Sequence, residues 1–203
     1  MWKKALICLL GLLGLMGCRE AKTTYTAIPS TGHVLQREMS VWVDKNFSDE
    51  DKLDIQKSLE EWNYVLNGYQ KFDVVSWNFD LGDNDLRMIQ ERRGIMILRI
   101  ESSSGFMPGD DPGFVTVAWT NRIGGNKIFV VRDRIHNMKR FHSAVLHELG
   151  HVEGAPDFDG EGSLMDGVYQ KSNPTCVDKR SAEAVALYQG IPFEGMNYCF
   201  FSD

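Results

Sequence analysis

The stretch His147-Glu148-Leu149-Gly150-His151-Val152-Glu153-Gly154-Ala155-Pro156-Asp157 decides how this chain reads. Its first part lies in residues 139–152, whose apolar spacing is that of a helix. Four residues make just over one helical turn, so His147 and His151 project from one face, and both imidazoles can reach a single zinc ion at about 2.0–2.1 Å. Glu148 points toward the same place without being a ligand, where it can take a proton from a water that the metal activates. Gly154 stands where the helix must end and the chain must reverse, a place for positive φ that glycine reaches without steric cost. Such a turn swings Asp157 back toward the metal.

The run H-E-x-x-H-x-x-G-x-x-D resembles the extended motif of the metzincin zinc peptidases, whose last position holds the third zinc ligand, usually histidine and in a minority aspartate. Asp157 occupies that position. Eight residues on, Ser163-Leu164-Met165-Asp166-Gly167 looks like the methionine turn of the same family, with Met165 as an apolar floor beneath the ligands. Within that family the chain is most similar to the snapalysin group, small secreted bacterial enzymes with an Asp ligand and a Leu-Met-x-Gly turn. The resemblance implies a zinc endopeptidase of the metalloendopeptidase type (EC 3.4.24), with His147, His151 and Asp157 holding one zinc and Glu148 as general base. It implies peptide or protein substrates and a single chain acting as a monomer.

Two features depart from the commoner pattern. An Asp ligand leaves the site near +1 rather than +2, which implies a weaker Lewis acid and slower hydrolysis or a shift to higher pH. Some relatives place a tyrosine two residues after the methionine. Here that position is Gly167, and Tyr169 follows as a candidate transition-state hydrogen-bond donor. Glu183, on the last helix, is the rival third ligand, because another zinc peptidase class draws its third ligand from a later helix. A different reading altogether is a noncatalytic zinc-binding module on the same scaffold. The presence of Glu148 argues against it, since a structural zinc needs no base and closes its fourth position with another Cys or His. Asp159 and Glu161 offer oxygens for calcium, but acidic loop residues are ordinarily only solvated, and no calcium site is expected. His33, His136 and His142 read as surface or satisfied polar residues, and His142 lies about 140° round the helix from His147.

The rest of the chain supplies a frame. Residues 34–43, 72–79, 94–100, 114–120 and 127–132 read as strands, rich in Val, Ile, Phe and Trp. Ser48 caps a first helix with Asp51 three residues on; Ile55, Leu59, Trp62 and Leu66 share one face, and Gly68 stops it. A last helix over residues 178–189 ends at Gly190. The order predicts an α+β fold with a twisted, mixed five-stranded sheet, two long helices, a methionine turn and a C-terminal helix, similar to a metzincin (zincin-like) catalytic domain. Residues 114–120 would be its edge strand, able to pair with an extended peptide through backbone hydrogen bonds.

Residues 1–17 carry Lys3 and Lys4, then an apolar run with no acidic residue, the layout of an export signal. Leu15-Met16-Gly17-Cys18 resembles a bacterial lipobox, which implies lipidation of Cys18 after cleavage. The expected divisions are a signal at 1–17, a tether at 18–32 and the catalytic domain at 33–203. The resemblance implies a lipid anchor in the bacterial envelope, on the outer membrane in a diderm given Arg19 after the cysteine. Losing the signal removes two lysines, leaving 186 residues at a net charge of −8 against −6 for all 203. No basic footprint for nucleic acid is present. Cys8 leaves with the signal, so Cys176 and Cys199 remain as an even pair suited to a disulfide in an exported protein.

Overall fold

Continuous apolar runs such as Val41-Trp42-Val43 and Ile95-Met96-Ile97-Leu98 bury the central strands on both faces. In a computed structural model of the chain, the described residues are 8–9, 23–25, 37–80, 94–104, 107, 114–159, 162–170 and 173–201. In chain order the elements are β1 (Cys8–Leu9), β2 (Thr23–Tyr25), β3 (Glu38–Asp44), α1 (Asp49–Leu66), β4 (Lys71–Phe79), β5 (Ile95–Ile100), β6 (Ala118–Thr120), β7 (Lys127–Val131), α2 (Met138–Val152), β8 (Val168–Tyr169), α3 (Lys179–Gln189) and β9 (Cys199–Phe201). The main sheet has the order β4-β3-β5-β7-β6, parallel except for β6, which runs antiparallel to β7 at the edge. This is the mixed five-stranded α+β sheet expected from the sequence.

Odd and even residues of each strand go to opposite faces. Val41 and Val43 of β3, Ile95 and Ile97 of β5, and Ile128 and Val130 of β7 meet α1 and α2 through Ile55, Leu59, Trp62, Phe141, Val145 and Leu149. Trp42, Met96 and Leu98 point the other way and join Phe79 in a second, smaller cluster. Two short ladders lie outside the sheet: β1 pairs with β8, and β2 pairs antiparallel with β9. Cys18 and the other residues of the expected signal and tether, apart from 8–9 and 23–25, lie outside the described residues. No helix among the described residues is long and apolar enough to cross a membrane.

The helix caps follow the sequence closely, with one shift. Ser48 Oγ accepts from Asp51 N while Asp51 Oδ2 accepts from Ser48 N, a complete capping box. Asn67, one residue before the expected Gly68, makes the left-handed cap of α1 at φ +44°. A short polar side chain tolerates that conformation, and Asn67 Nδ2 donates to Gly195 O at 2.7 Å. Asp178 caps α3, and Gly190 ends it at φ +67°.

The edge strand is shorter than the 114–120 read from composition. Only Ala118–Thr120 form the strand; before it Val117 O still accepts from Val131 N of β7 at 2.8 Å, while Thr116 O accepts from Arg134 Nη1 at 3.0 Å. Cys176 and Cys199 form a disulfide with Cα atoms 6.3 Å apart, joining the segment before α3 to β9.

Candidate metal centre

α2 is capped by Asn137, whose side chain accepts from Arg140 N at 2.9 Å, and the helix is buried from Ser143 to Val152. His147 and His151 share a face as the helical repeat requires, with ring centroids 4.6 Å apart. Backbone carbonyls fix both rings. His147 Nδ1 donates to Leu164 O and His151 Nδ1 donates to Ala155 O, each at 2.8 Å. A carbonyl only accepts, so the proton of each neutral imidazole sits on Nδ1 and each Nε2 carries a bare lone pair.

Those two Nε2 atoms lie 3.0 Å apart. Asp157 Oδ1 completes the triangle at 3.2 Å from His147 Nε2 and 3.4 Å from His151 Nε2. Among the described residues, His147, His151 and Asp157 are the group whose ligand atoms converge in this way. A tetrahedral ion bonded at about 2.0–2.1 Å spans ligand pairs about 3.3–3.4 Å apart, close to the observed edges of 3.0, 3.2 and 3.4 Å. Three buried acceptors facing one point call for positive charge, and a donor set of two imidazoles and a carboxylate suits zinc. These residues therefore fit the metal.

The electrostatics point the same way. Burial would lower the pKa of His151, yet the hydrogen bond to Asp157 and the charges of Glu148 and Asp157 raise it. Burial would raise Asp157, yet hydrogen bonds and charge from His147 and His151 hold its carboxyl well below the usual carboxylate range. The pocket favours a cation, whether a proton or a metal. Glu148 has no exposed surface; burial pushes its pKa up, opposed by the two histidines and by Thr120.

Local chain geometry explains why the ligands meet. Gly154 adopts φ +104°, and a Cβ there would strike the ring of Tyr188 at 1.9 Å, so the reversal after α2 needs glycine twice over. Gly124 N, in the β6–β7 turn, donates to His151 O at 2.7 Å and ties the edge hairpin to the end of α2. The turn 163–167 lies under the site: Phe158 N donates to Met165 O at 2.8 Å, and Leu164 supplies the carbonyl that orients His147. Met165 is fully buried, with Sδ against the bare Cα face of Gly150. Asp178 holds the turn from below, its Oδ2 accepting from Leu164 N at 2.6 Å and from Ser163 Oγ at 3.1 Å.

The remaining sequence candidates separate clearly. Glu183 sits on the exposed face of α3, 3.6 Å from Lys179 Nζ, and is not brought to the cluster. Tyr169 is half-buried and lines, with His147, Ser143 and Leu164, a cavity of about 10 Å³, room for one water. Asp159 and His136 are exposed; His33 and Glu161 lie outside the described residues. His142 is a satisfied polar residue between α1 and α2, 3.3 Å from Asp54 and 3.5 Å from Glu61. Sequence reading missed Thr120, whose Oγ1 donates to Glu148 Oε2 at 2.7 Å, and Glu153, a buried carboxylate held by the side-chain amides of Gln70 and Gln189. Neither has a motif of its own.

The chain shares its fold with archaemetzincin. Against archaemetzincin from Methanopyrus kandleri the TM-score is 0.51 at 12% identity, covering 81% of this chain and 99% of that one. Metalloproteinase-II from Bacteroides fragilis matches at a TM-score of 0.47 and 16% identity over 76% of this chain, which spans about half (54%) of that longer protein. No family model and no curated protein matches the sequence.

Proposed function

We propose that the chain is a zinc-dependent endopeptidase. The observation that carries this reading is the triangle of His147 Nε2, His151 Nε2 and Asp157 Oδ1, closed to 3.0–3.4 Å, with a buried glutamate beside its first ligand. When bound there, zinc supplies a Lewis acid that polarises a peptide carbonyl and makes a water more acidic. His147, His151 and Asp157 would hold the ion, and the carbonyls of Leu164 and Ala155 keep both imidazoles in the ligating tautomer. Glu148 accepts a proton from the attacking water and passes it to the leaving amine nitrogen. Met165 keeps the floor of the site dry and apolar. Tyr169, which lines a small cavity with His147, is the candidate donor to the developing oxyanion, and unchanged turnover in Tyr169→Phe would remove it from the scheme. The Asp ligand and the methionine turn support a snapalysin-like member of the metzincins, and the lipobox at residues 15–18 supports anchoring through Cys18 outside the cytoplasm.

The complete burial of Glu148 favours a second reading, a zinc module without catalysis. One experiment separates the two: metal analysis of the purified chain, paired with cleavage of a mixed peptide library with and without chelator. The peptidase reading expects one zinc per chain and cleavage that stops on chelation. A zinc-loaded chain that cleaves nothing supports the module.

A further inference from the structure

Glu148 is held by an asymmetric arrangement. Its Oε2 accepts a 2.7 Å hydrogen bond from Thr120 Oγ1, while its Oε1 is buried with no hydrogen-bond partner. We propose that Thr120 is a positioning residue that ties Oε2 to the edge strand β6 and thereby assigns proton transfer to Oε1. This rests on the peptidase reading above.

The hydroxyl of Thr120 has one proton and two acceptors in reach, Glu148 Oε2 at 2.7 Å and Glu148 O at 3.1 Å. The shorter contact to the charged oxygen takes it, since charge-assisted hydrogen bonds are shorter and stronger than those to a neutral carbonyl. Thr120 is itself buried in the sheet, in register with Ile128 of β7, and a β-branched side chain has few χ1 alternatives there. The hairpin that carries it is bound to α2 a second time through Gly124 N, which donates to His151 O. The carboxylate is thus clamped on one oxygen by the same edge that borders the metal helix.

Oε1 is left as an acceptor with its hydrogen-bonding capacity unused, a costly state for a buried carboxylate oxygen unless a proton donor arrives. In the hydrolysis, a C–O bond forms to the water oxygen and the peptide C–N bond breaks. One proton moves from water to Oε1 and on to the amine nitrogen. A freely rotating carboxylate would present either oxygen; the Thr120 bond selects one and holds its direction.

The test compares parent, Thr120→Val and Thr120→Ser as full, zinc-loaded chains, with zinc content, crystal structures and steady-state kinetics on a peptide the parent cleaves. Thr120→Val keeps the shape and loses the donor. It is expected to retain its zinc and the parent's KM within about twofold while kcat falls about 10–100-fold, part of what a positioned base contributes. Thr120→Ser keeps the donor and is expected to stay within about threefold of the parent. In the crystal structure of Thr120→Val, Glu148 Oε2 should leave the edge strand; in Thr120→Ser it should stay. If the Val variant folds poorly, Thr120→Ala gives the same readouts. Parent-like kcat in Thr120→Val, an equal loss in Thr120→Ser, or an unmoved carboxylate in the Val structure overturns the proposal. A zinc-loaded parent without activity sinks the peptidase reading instead, and the crystal structures still decide whether Thr120 holds the carboxylate.

Discussion

Gly150 is the fourth residue of the five-residue motif that begins at His147, and its lack of a side chain is used by the methionine turn. A Cβ built on Gly150 would lie 2.5 Å from Met165 Sδ, 3.1 Å from Met165 Cε and 3.3 Å from Trp62 Cζ2. Gly150→Ala therefore sets two effects against each other. Alanine inside a helix is favoured over glycine by about 1 kcal/mol. Inserting a methyl into a packed core costs about 1–3 kcal/mol. Met165 and Trp62 are fully buried, so neither has open space to retreat into, and the clash wins. The expected net change is a destabilisation of about 1 kcal/mol. In a Met165→Ala background the main obstacle is gone and the propensity term remains, so the same substitution should stabilise by up to about 1 kcal/mol. The sign reversal, a coupling of about 2 kcal/mol, is read by urea unfolding of the four chelated proteins in a double-mutant cycle under non-reducing conditions. Gly150→Ala that stabilises the parent, or an equal effect in both backgrounds, would refute the claim that Met165 packs on Gly150.

Asp157→Ala should lose zinc at micromolar chelator where the parent holds it, while Glu183→Ala, altered on an exposed face, should bind zinc as the parent does; the opposite pattern, read by metal analysis, reassigns the third ligand. His142 gives a pH signature. Burial would lower its pKa, but Asp54 and Glu61 raise it from 6.5 to about 9, so the protonated ring stabilises the fold fully below about pH 6.5 and loses that contribution as pH rises through 9. The lift corresponds to at most about 3 kcal/mol, and His142→Gln should flatten the stability profile across that window; parallel profiles for parent and variant contradict the clamp. Cutting the Cys176–Cys199 bridge, which closes a separation of 23 residues, should cost about 3 kcal/mol in denaturant unfolding, and an unchanged midpoint on Cys176→Ser/Cys199→Ser removes it from the stability account.

The residues legible in the sequence are those whose role follows from spacing along one element. His147, His151 and Glu148 share a helical face because the repeat is 3.6 residues. Ser48 and Asp51 announce their cap, and the runs rich in Val, Ile, Phe and Trp announce the strands of the sheet. What stayed hidden depends on partners far away in the chain. The acceptors that orient the two imidazoles are the carbonyls of Leu164 and Ala155, groups every residue owns. Thr120 is an ordinary strand residue until β6 is laid beside α2. His142 reads from sequence as a surface or satisfied polar residue, and the choice between the two waits on the carboxylates of α1 that charge it. The edge strand was read too long because β-forming composition continues through residues 114–117, while the ladder to β7 takes in only Ala118–Thr120.

The central claim is one zinc held by His147 Nε2, His151 Nε2 and an oxygen of Asp157. A crystal structure of the zinc-loaded chain, with anomalous data collected on both sides of the zinc edge, tests it most directly. The account predicts a single zinc peak inside that triangle, bonded to the three atoms at about 2.0–2.2 Å. A zinc peak elsewhere, or one bound by both histidines with Asp157 turned away, would contradict it.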